Sequence, residues 1–270
     1  MTETAQSEVL CEVSDEVALV TFNRPDHFNS WTASMEAEYF DRLDRLDADP
    51  GVRVIVVRGV GDRSFCSGAD VNDMSKTAKS AGVVNPLRTR PMTYARSIRK
   101  PMIAAINGAC AGIGLVQALC CDIRFAVEGV TMTTAFTRRG LAAEFGTPWL
   151  LVRTIGTARA SDLLLSGRRF TSGEAAQMGM INAIFPRDEL MPFVLDYARE
   201  MAANCAPLAM ATIKEQLRRD WERPLSFAEG EALLITRDPQ RREDLREGIA
   251  SFLERRPPHF APLPPRINDF

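Results

Sequence analysis

Apolar residues in the first half of the chain fall into two patterns, short runs and helically spaced positions. The runs predict strands, because each is four to six residues long and most give way directly to turn formers. Between the first two runs, apolar residues three or four apart predict a helix that Thr32 caps and Asp49-Pro50-Gly51 stops. Strands that alternate with helices indicate an α/β protein with a largely parallel sheet. The elements predicted for this half are strands at 17–22, 52–57, 102–106 and 123–126 and helices at 32–48 and 112–121.

From Trp149 onward the pattern becomes mostly helical. Three of the last four helical segments begin with proline, which suits the first turn of a helix. We therefore predict an α/β core over residues 1–205 and a helical region over 206–270 that contacts other subunits. The predicted elements are helices at 158–165, 172–177, 188–204, 207–221, 224–237 and 239–256, with one strand at 181–185.

Composition and charge narrow the class of protein. The 270 residues are 46% hydrophobic and 25% charged, which supports a sizeable core and excludes global disorder. A net charge of −2 argues against nucleic-acid binding, which needs a concentrated basic surface. No apolar run reaches the ~18 residues of a membrane span, and the first twelve residues are too polar for a secretory signal. These features predict a soluble, cytoplasmic protein that binds neither nucleic acid nor a membrane.

Neither the cysteines nor the histidines of this sequence form a pattern that indicates a metal site or catalysis. The six cysteines form no Cys-x-x-Cys pair and lie mostly in apolar segments, as expected of small buried side chains in a reducing compartment. The two histidines, His27 and His259, lie in a turn-like stretch and a proline-rich tail. We therefore predict no metal site and no catalytic histidine.

Two glycine-bearing turns free backbone groups for chemistry. In Ser64–Val71, Gly68 permits an unusual backbone conformation and leaves the N–H of Ala69 able to face a cavity. Asn107–Leu115 is a strand-to-helix turn, and the first N–H groups of a helix attract negative charge. Each turn alone is weak evidence, because glycines there also serve packing. The second is not a dinucleotide fingerprint, since Gln117 stands where the third glycine belongs.

Together, the two turns and their spacing resemble the crotonase (enoyl-CoA hydratase/isomerase) superfamily over essentially the whole chain. The matching segments are Asn23-Arg24-Pro25 with Asn29-Ser30, Phe65-Cys66-Ser67-Gly68-Ala69-Asp70-Val71, Lys100-Pro101 with Asn107-Gly108 and Gly112, Cys121-Asp122-Ile123, Arg139-Gly140-Leu141, Leu164-Leu165-Ser166-Gly167-Arg168, Ala175-Ala176 with Gly179-Met180-Ile181-Asn182, and Glu247-Gly248-Ile249 with Phe252.

The resemblance implies a fold, a substrate class and a set of binding residues. The fold is a crotonase-like spiral of ββα units whose C-terminal helices form a homotrimer or a dimer of trimers. The substrate is an acyl-CoA thioester, and no cofactor is needed because coenzyme A is part of that substrate. The N–H groups of Ala69 and Ile113 match the oxyanion hole that holds the thioester oxygen, although many relatives have glycine in place of Ile113. The positions implied in substrate or CoA binding are Arg24, Gly68, Asp70, Val71, Asn72 and Gly112, with Asn72 standing where relatives often carry lysine.

The resemblance also indicates which carboxylate acts. Hydratases of the family hold a water between two glutamates, and the matching positions here are Val116 and Phe136. Neither side chain transfers a proton, so these positions exclude the standard hydratase mechanism. Glu144 matches the catalytic glutamate of Δ3,Δ2-enoyl-CoA isomerases of the peroxisomal type. We predict that it is the catalytic base, with Val116, Phe136 and Trp149 lining the pocket.

Several alternatives stay open at this stage. The carboxylate of Glu144 could instead cap the helix that starts near Thr147, and Glu128 could belong to the surface or to the site. Proton transfer by a single base favours double-bond isomerisation. The alternatives are a hydratase, or a related lyase or hydrolase, in which Glu144 activates water, and a non-catalytic acyl-CoA-binding protein.

Overall fold

The computed structural model of the chain describes residues 7–70 and 90–266. The strands are β1 (Val9–Ser14), β2 (Val17–Phe22), β3 (Val54–Gly59), β4 (Ser64–Cys66), β5 (Met102–Ile106), β6 (Ala109–Ala111), β7 (Ile123–Val127), β8 (Thr131–Thr133), β9 (Arg169–Thr171) and β10 (Ala183–Phe185). The α-helices are α1 (Ala33–Ala48), α2 (Ile113–Cys120), α3 (Thr147–Ile155), α4 (Thr157–Ser166), α5 (Ser172–Gln177), α6 (Arg187–Asn204), α7 (Pro207–Arg219), α8 (Leu225–Ile235) and α9 (Pro239–Glu254). Short 3-10 turns cover Pro25–His27, Tyr94–Ser97, Thr137–Arg139 and Asp220–Glu222.

The strands form two sheets that the chain visits alternately. The large sheet has the order β1-β2-β3-β5-β7-β10, and the small sheet has the order β4-β6-β8-β9. From β3 to β8, each turn of the chain adds one strand to the large sheet and the next strand to the small sheet. Within each sheet these successive strands run parallel. The predicted α/β spiral of repeated ββα units is confirmed.

Helix α1 begins and ends where the sequence predicts. The hydroxyl of Thr32 accepts a hydrogen bond from the N–H of Met35 at 3.0 Å, which satisfies one donor of the first turn. At the other end, the ammonium group of Lys100 donates to the carbonyl oxygens of Leu46 and Asp49. Lys100 is only 3% exposed, and burial lowers its pKa from 10.5 to about 8. The end of this helix is therefore bound by an ammonium group that loses its proton at a lower pH than an exposed lysine does.

The lowered pKa of Lys100 predicts a stability that rises with pH. Between about pH 8 and pH 10.5 the folded chain has released this proton while the unfolded chain still holds it, so raising the pH favours the folded state. From about pH 7.5 to pH 10, this group should add about 2 kcal/mol to the free energy of unfolding. Denaturant titrations of the wild type and of Lys100→Met should differ by this gain, and parallel pH curves would contradict the assignment.

The cysteines predict a simple labelling pattern. Cys66, Cys110, Cys120 and Cys121 are buried, and burial raises the pKa of Cys66 and of Cys120 to about 12. Because the thiolate is the reactive form, these four should resist iodoacetamide in the folded protein. The two half-buried thiols, Cys11 and Cys205, should react first. Mass spectrometry should show two labels on the native chain and six after denaturation; early labelling of a buried cysteine would contradict the burial.

The helices after residue 205 differ from the helix before it. Helix α6 packs across the large sheet, with Leu190, Val194, Ala198 and Ala202 buried. Helices α7 to α9 leave many large apolar side chains exposed, such as Phe252 at 81%. The predicted boundary near residue 205 falls between α6 and α7 and stays a prediction. No helix in the described part of the chain combines the length and apolar character that a bilayer crossing requires.

Candidate active site

The first glycine turn follows the end of β4 and leaves one amide unused. Gly68 has a φ of +104°, a conformation that favours glycine. The carbonyl of Gly68 accepts from the N–H of Trp31 at 2.8 Å, and the N–H of Asp70 donates to the carbonyl of Trp31 at 2.9 Å. Among the described residues, the N–H of Ala69 between them has no acceptor. This amide is therefore available to a ligand.

The second glycine turn joins β6 to α2 and leaves a second amide unused. Gly112 has a φ of +49° and a ψ of −116°, which side chains strongly disfavour. Its own N–H donates to the carbonyl of Thr133 at 3.1 Å, and its carbonyl accepts from the N–H of Val116. Ile113 is the first residue of the helix, so its N–H has no partner within α2 and none in the rest of the described chain. The positive end of the helix dipole adds to the attraction of this amide for negative charge.

The two turns are brought together by the small sheet. Strands β4 and β6 are parallel neighbours, so both turns leave the same edge of that sheet. A Cβ added to Gly112 would lie 3.8 Å from the Cα of Gly68, and one added to Gly68 would lie 3.3 Å from the carbonyl oxygen of Ala111. At Gly114, a Cβ would come within 2.2 Å of the carbonyl oxygen of Cys66. Glycine is therefore what lets the two backbones approach.

An ion-pair network anchors the first turn. The guanidinium of Arg24 donates to the carboxylate of Asp70 at 3.0 Å and pairs with the carboxylate of Glu8 at 2.8 Å. The hydroxyl of Ser30 donates to the same Asp70 carboxylate at 3.0 Å. Arg24 and Asp70 thus hold the turn in place, and their predicted part in substrate or CoA binding stays a prediction. Val71 and Asn72, predicted to bind CoA, lie outside the described residues.

The third strand of the small sheet brings apolar side chains to the same edge. Strand β8 is the parallel neighbour of β6, and the chain continues from it through Ala135, whose φ is +61°, to Phe136. Phe136 is 5% exposed, and Val116 on α2 is fully buried. Neither position has a carboxylate. The neighbourhood of the two amides is therefore apolar at the places where a pair of acids would hold a water.

Glu144 stands on a strained turn before α3. The next two residues, Phe145 and Gly146, have φ values of +57° and +67°, and the side chain of Glu144 is exposed. The carbonyl oxygen of Glu144 accepts from the N–H of Thr147 at 3.0 Å and from its hydroxyl at 2.6 Å. Helix α3 has no side-chain cap, so the alternative that the Glu144 carboxylate caps it is wrong. No ion pair links this carboxylate to a described residue, which leaves it available.

Known proteins share both the sequence and the fold. The family model for enoyl-CoA hydratase/isomerase matches residues 12–262. The chain belongs to this family. It is 32% identical to a 2,3-dehydroadipyl-CoA hydratase of Escherichia coli, over 94% of this chain and 98% of that protein. A 1,2-epoxyphenylacetyl-CoA isomerase of the same organism is also 32% identical, over 93% of this chain and 97% of that one. A probable enoyl-CoA hydratase/isomerase structure from Mycobacterium abscessus is 31% identical, with a TM-score of 0.84 over 95% of this chain and 99% of that one.

The chain is thus an acyl-CoA enzyme of the enoyl-CoA hydratase/isomerase family. The small sheet brings the turns at Ala69 and Ile113 together, and the catalytic role of Glu144 stays a prediction. Trp149 lies on α3, five residues beyond Glu144, and its ring is covered by the guanidinium groups of Arg96 at 5.0 Å and Arg153 at 3.9 Å. Its role in the pocket stays a prediction. Glu128 lies before β8, at the end of the small sheet opposite the glycine turns, and so belongs to the surface.

Sequence reasoning missed Arg96 and Arg153 beside the site. No motif marks either residue, and Arg96 meets Trp149 only through the fold. Helical spacing of four residues between Trp149 and Arg153 was the one available signal. Among the described residues, no group of three or more histidine, cysteine or acidic side chains is arranged to hold a metal ion.

Proposed function

We propose that the chain is an enoyl-CoA isomerase that moves a double bond by single-base proton transfer. The amides of Ala69 and Ile113 hold the thioester oxygen, and Glu144 carries the proton. One observation carries the proposal. Two turns pack together, and in the described part of the chain the amides of Ala69 and Ile113 at these turns have no acceptor. Glu144, in the segment after the next strand, has no ion pair with a described residue, and both positions for a water-holding acid pair are apolar.

The proposed reaction balances without any outside reagent. The carboxylate of Glu144 removes a proton from the α carbon of a 3-enoyl thioester, and the electron pair moves toward the thioester oxygen to give a dienolate. The resulting carboxylic acid returns the proton at the γ carbon, the carbonyl re-forms, and the double bond lies between the α and β carbons. Losing one oxyanion donor typically costs about 10²- to 10³-fold in rate. The base contributes about 10²- to 10⁴-fold.

Val116 and Phe136 support this reading through exclusion of water. Both are buried, and neither can orient a water molecule for attack on the β carbon. A dry surface beside the dienolate favours return of the proton over hydration.

Hydration of a 2-enoyl thioester is the second candidate. Most of the similar proteins compared with the chain are named as hydratases. The side chain of Glu144 is also exposed, so water can reach it. In that reaction, Glu144 would remove a proton from water as the oxygen attacks the β carbon. The α carbon would then be protonated from the same residue or from solvent.

One assay separates these candidates from a third, a binding protein without activity. Given a 3-enoyl-CoA, an isomerase raises the absorbance of the conjugated thioester, whereas a hydratase given a 2-enoyl-CoA removes it. In D₂O, proton return by one carboxylate should leave part of the original hydrogen at the γ carbon, detectable by mass spectrometry. Hydration without isomerisation would replace the first proposal by the second. Tight thioester binding without turnover on 2-enoyl, 3-enoyl, branched and aromatic thioesters would support the binding protein.

The exposed face of α7 to α9 supports an oligomer, and we propose a homotrimer or a dimer of trimers. Monomeric proteins rarely expose a contiguous apolar surface of this kind. Sedimentation velocity at several concentrations should give a trimer or hexamer mass, and a monomer at micromolar concentration would contradict it. The large apolar side chains exposed here are Ile213, Leu217, Trp221, Leu225, Phe227, Leu233, Leu234, Leu245, Ile249, Phe252 and Leu253.

A further inference from the structure

A cavity of about 460 Å³ lies between the segment 96–99, helices α7 and α8, and the start of α9. Its described lining contains seven basic side chains and only two acidic ones. Threonine, serine and glutamine side chains complete a polar wall. The chain as a whole is slightly acidic, so this concentration of positive charge is local.

Ion pairs account for many of these charges but not for all of them. Asp47 pairs with Arg99 and with Arg266, and Asp122 pairs with Lys214. On α7 and α8, the two acids of the lining, Glu215 and Glu231, pair with Arg218 and Arg219. The remaining basic residues are Arg96 and Arg241, of which Arg241 forms a long ion pair, of 3.5 Å, with Asp238.

Arg96 and Arg241 have unused capacity to bind an anion. No described acidic side chain pairs with Arg96, whose recorded contact is the face of Trp149. The guanidinium of Arg241 donates one hydrogen bond, to the hydroxyl of Thr212, whereas its Nε is buried and has no hydrogen-bond partner among the described residues. A buried guanidinium N–H without an acceptor is costly, so a ligand that accepts from it is stabilised.

The wall that carries Arg96 is tied to the candidate active site in two ways. Arg96 lies over the ring of Trp149, which follows Glu144 by five residues. The side-chain amide of Gln117 donates to the carbonyl of Met92 at 2.9 Å, four residues before Arg96. Gln117 lies one helical turn, about 6 Å, along α2 from the amide of Ile113. The wall of the cavity that carries Arg96 is therefore joined through the fold to the helix that presents that amide.

We infer that this cavity binds an anionic group, a carboxylate or a phosphate, through the guanidinium groups of Arg96 and Arg241. Guanidinium matches both anions with paired, charge-assisted hydrogen bonds. The anion has two possible sources, the far end of the acyl group of the substrate and a free phosphate. The first source rests on the proposed function and would make the preferred substrate an acyl-CoA with a distal carboxylate. The second is independent of it.

Binding of saturated thioesters tests the first source without any turnover. Hexanedioyl-, octanedioyl- and decanedioyl-CoA are compared by calorimetry with the hexanoyl, octanoyl and decanoyl thioesters. At one chain length or more, the acid-ended ligand should bind at least tenfold tighter, because a carboxylate forms charge-assisted hydrogen bonds with guanidinium and a methyl end forms none. Arg96→Gln and Arg241→Gln should remove that preference while leaving the affinity for the neutral thioester within about twofold.

Two further variants separate charge from folding. Arg96→Lys keeps the positive charge and should retain part of the preference, which a purely structural role for the side chain would not predict. Arg246→Gln removes an exposed arginine from the same helix as Arg241, outside the cavity lining, and should behave as the wild type. Circular dichroism melts confirm that each variant is folded before it is compared.

Titration with inorganic phosphate tests the second source. If the dicarboxylic preference is absent but phosphate binds saturably, and Arg96→Gln and Arg241→Gln each weaken that binding at least tenfold, the anion is a free one. If neither ligand shows an effect that depends on these arginines, the inference is overturned. If the preference persists in a protein that shows no turnover, the isomerase proposal fails and the anion site stands.

Discussion

Glu144→Gln is expected to lower isomerisation of a 3-enoyl-CoA at least a hundredfold while saturated acyl-CoA binds with unchanged affinity. The amide is close in size to the carboxylate but cannot accept a proton, and a positioned base is worth about 10²- to 10⁴-fold. The side chain is exposed and has no ion pair with a described residue, so the substitution breaks no such contact. Turnover measured from the conjugated thioester's absorbance, beside calorimetric binding of a saturated thioester, gives both quantities.

Glu128→Gln is the matched control for this result. It removes another exposed carboxylate, at the opposite end of the small sheet. Among the described residues, Glu128 forms one hydrogen bond, from its backbone N–H to the carbonyl of Phe185. Its turnover should equal that of the wild type. If Glu144→Gln keeps wild-type turnover, the base lies elsewhere and the single-glutamate mechanism is wrong.

Gly114→Ala is expected to damage both stability and turnover through a single methyl group. The added Cβ would lie 2.2 Å from the carbonyl oxygen and 2.9 Å from the carbonyl carbon of Cys66, and backbone atoms cannot rotate away. Helix α2 must therefore move away from β4, at a cost of about 1–3 kcal/mol in the free energy of unfolding. The same movement separates the amides of Ala69 and Ile113, and a misplacement of ~1 Å can cost about 10²-fold in rate. Denaturant titration and turnover measure the two effects.

Gly173→Ala distinguishes this clash from the general effect of replacing a helical glycine. Gly173 lies in α5, where a Cβ would meet the hydroxyl oxygen of Thr171 at an ordinary 3.6 Å. Alanine is the better helix former by up to about 1 kcal/mol, so stability should hold or rise and turnover should not change. Equal behaviour of the two variants would show that the contact between α2 and Cys66 is not what sets the site.

Long elements could be predicted because their signals are local. Strands β2 and β5 and helix α1 fall where the apolar pattern places them, and Thr32 caps α1 as expected. The second predicted strand shifted by two residues, from 52–57 to Val54–Gly59, because β3 takes its register from β2 and β5. Strand β1 was missed: its hairpin turn uses Asp15 and Glu16 at positive φ, without the glycine that usually marks such turns.

The two glycine turns of the candidate site could be recognised in the sequence, but the way they are brought together could not. The small sheet is made of strands of only three residues, too short for any periodicity to show, yet it is what brings the turns at Gly68 and Gly112 together. The close approach at Gly114 is a contact between distant segments, and so is the covering of Trp149 by Arg96. Contacts of this kind depend on the whole fold, so the sequence around each residue does not reveal them.

In the proposed mechanism, the spiral places the amides that bind the thioester oxygen and the residue that determines the reaction on different coils. One coil ends in the Ala69 amide, the next ends in the Ile113 amide, and the third continues to Glu144. Under the proposed mechanism, exchanging the segment after β8 would therefore replace the acid–base group while the first two coils still polarise the same thioester. Enzymes with this arrangement could acquire a different reaction through changes in one segment, while the two glycine turns that bind the thioester stay the same.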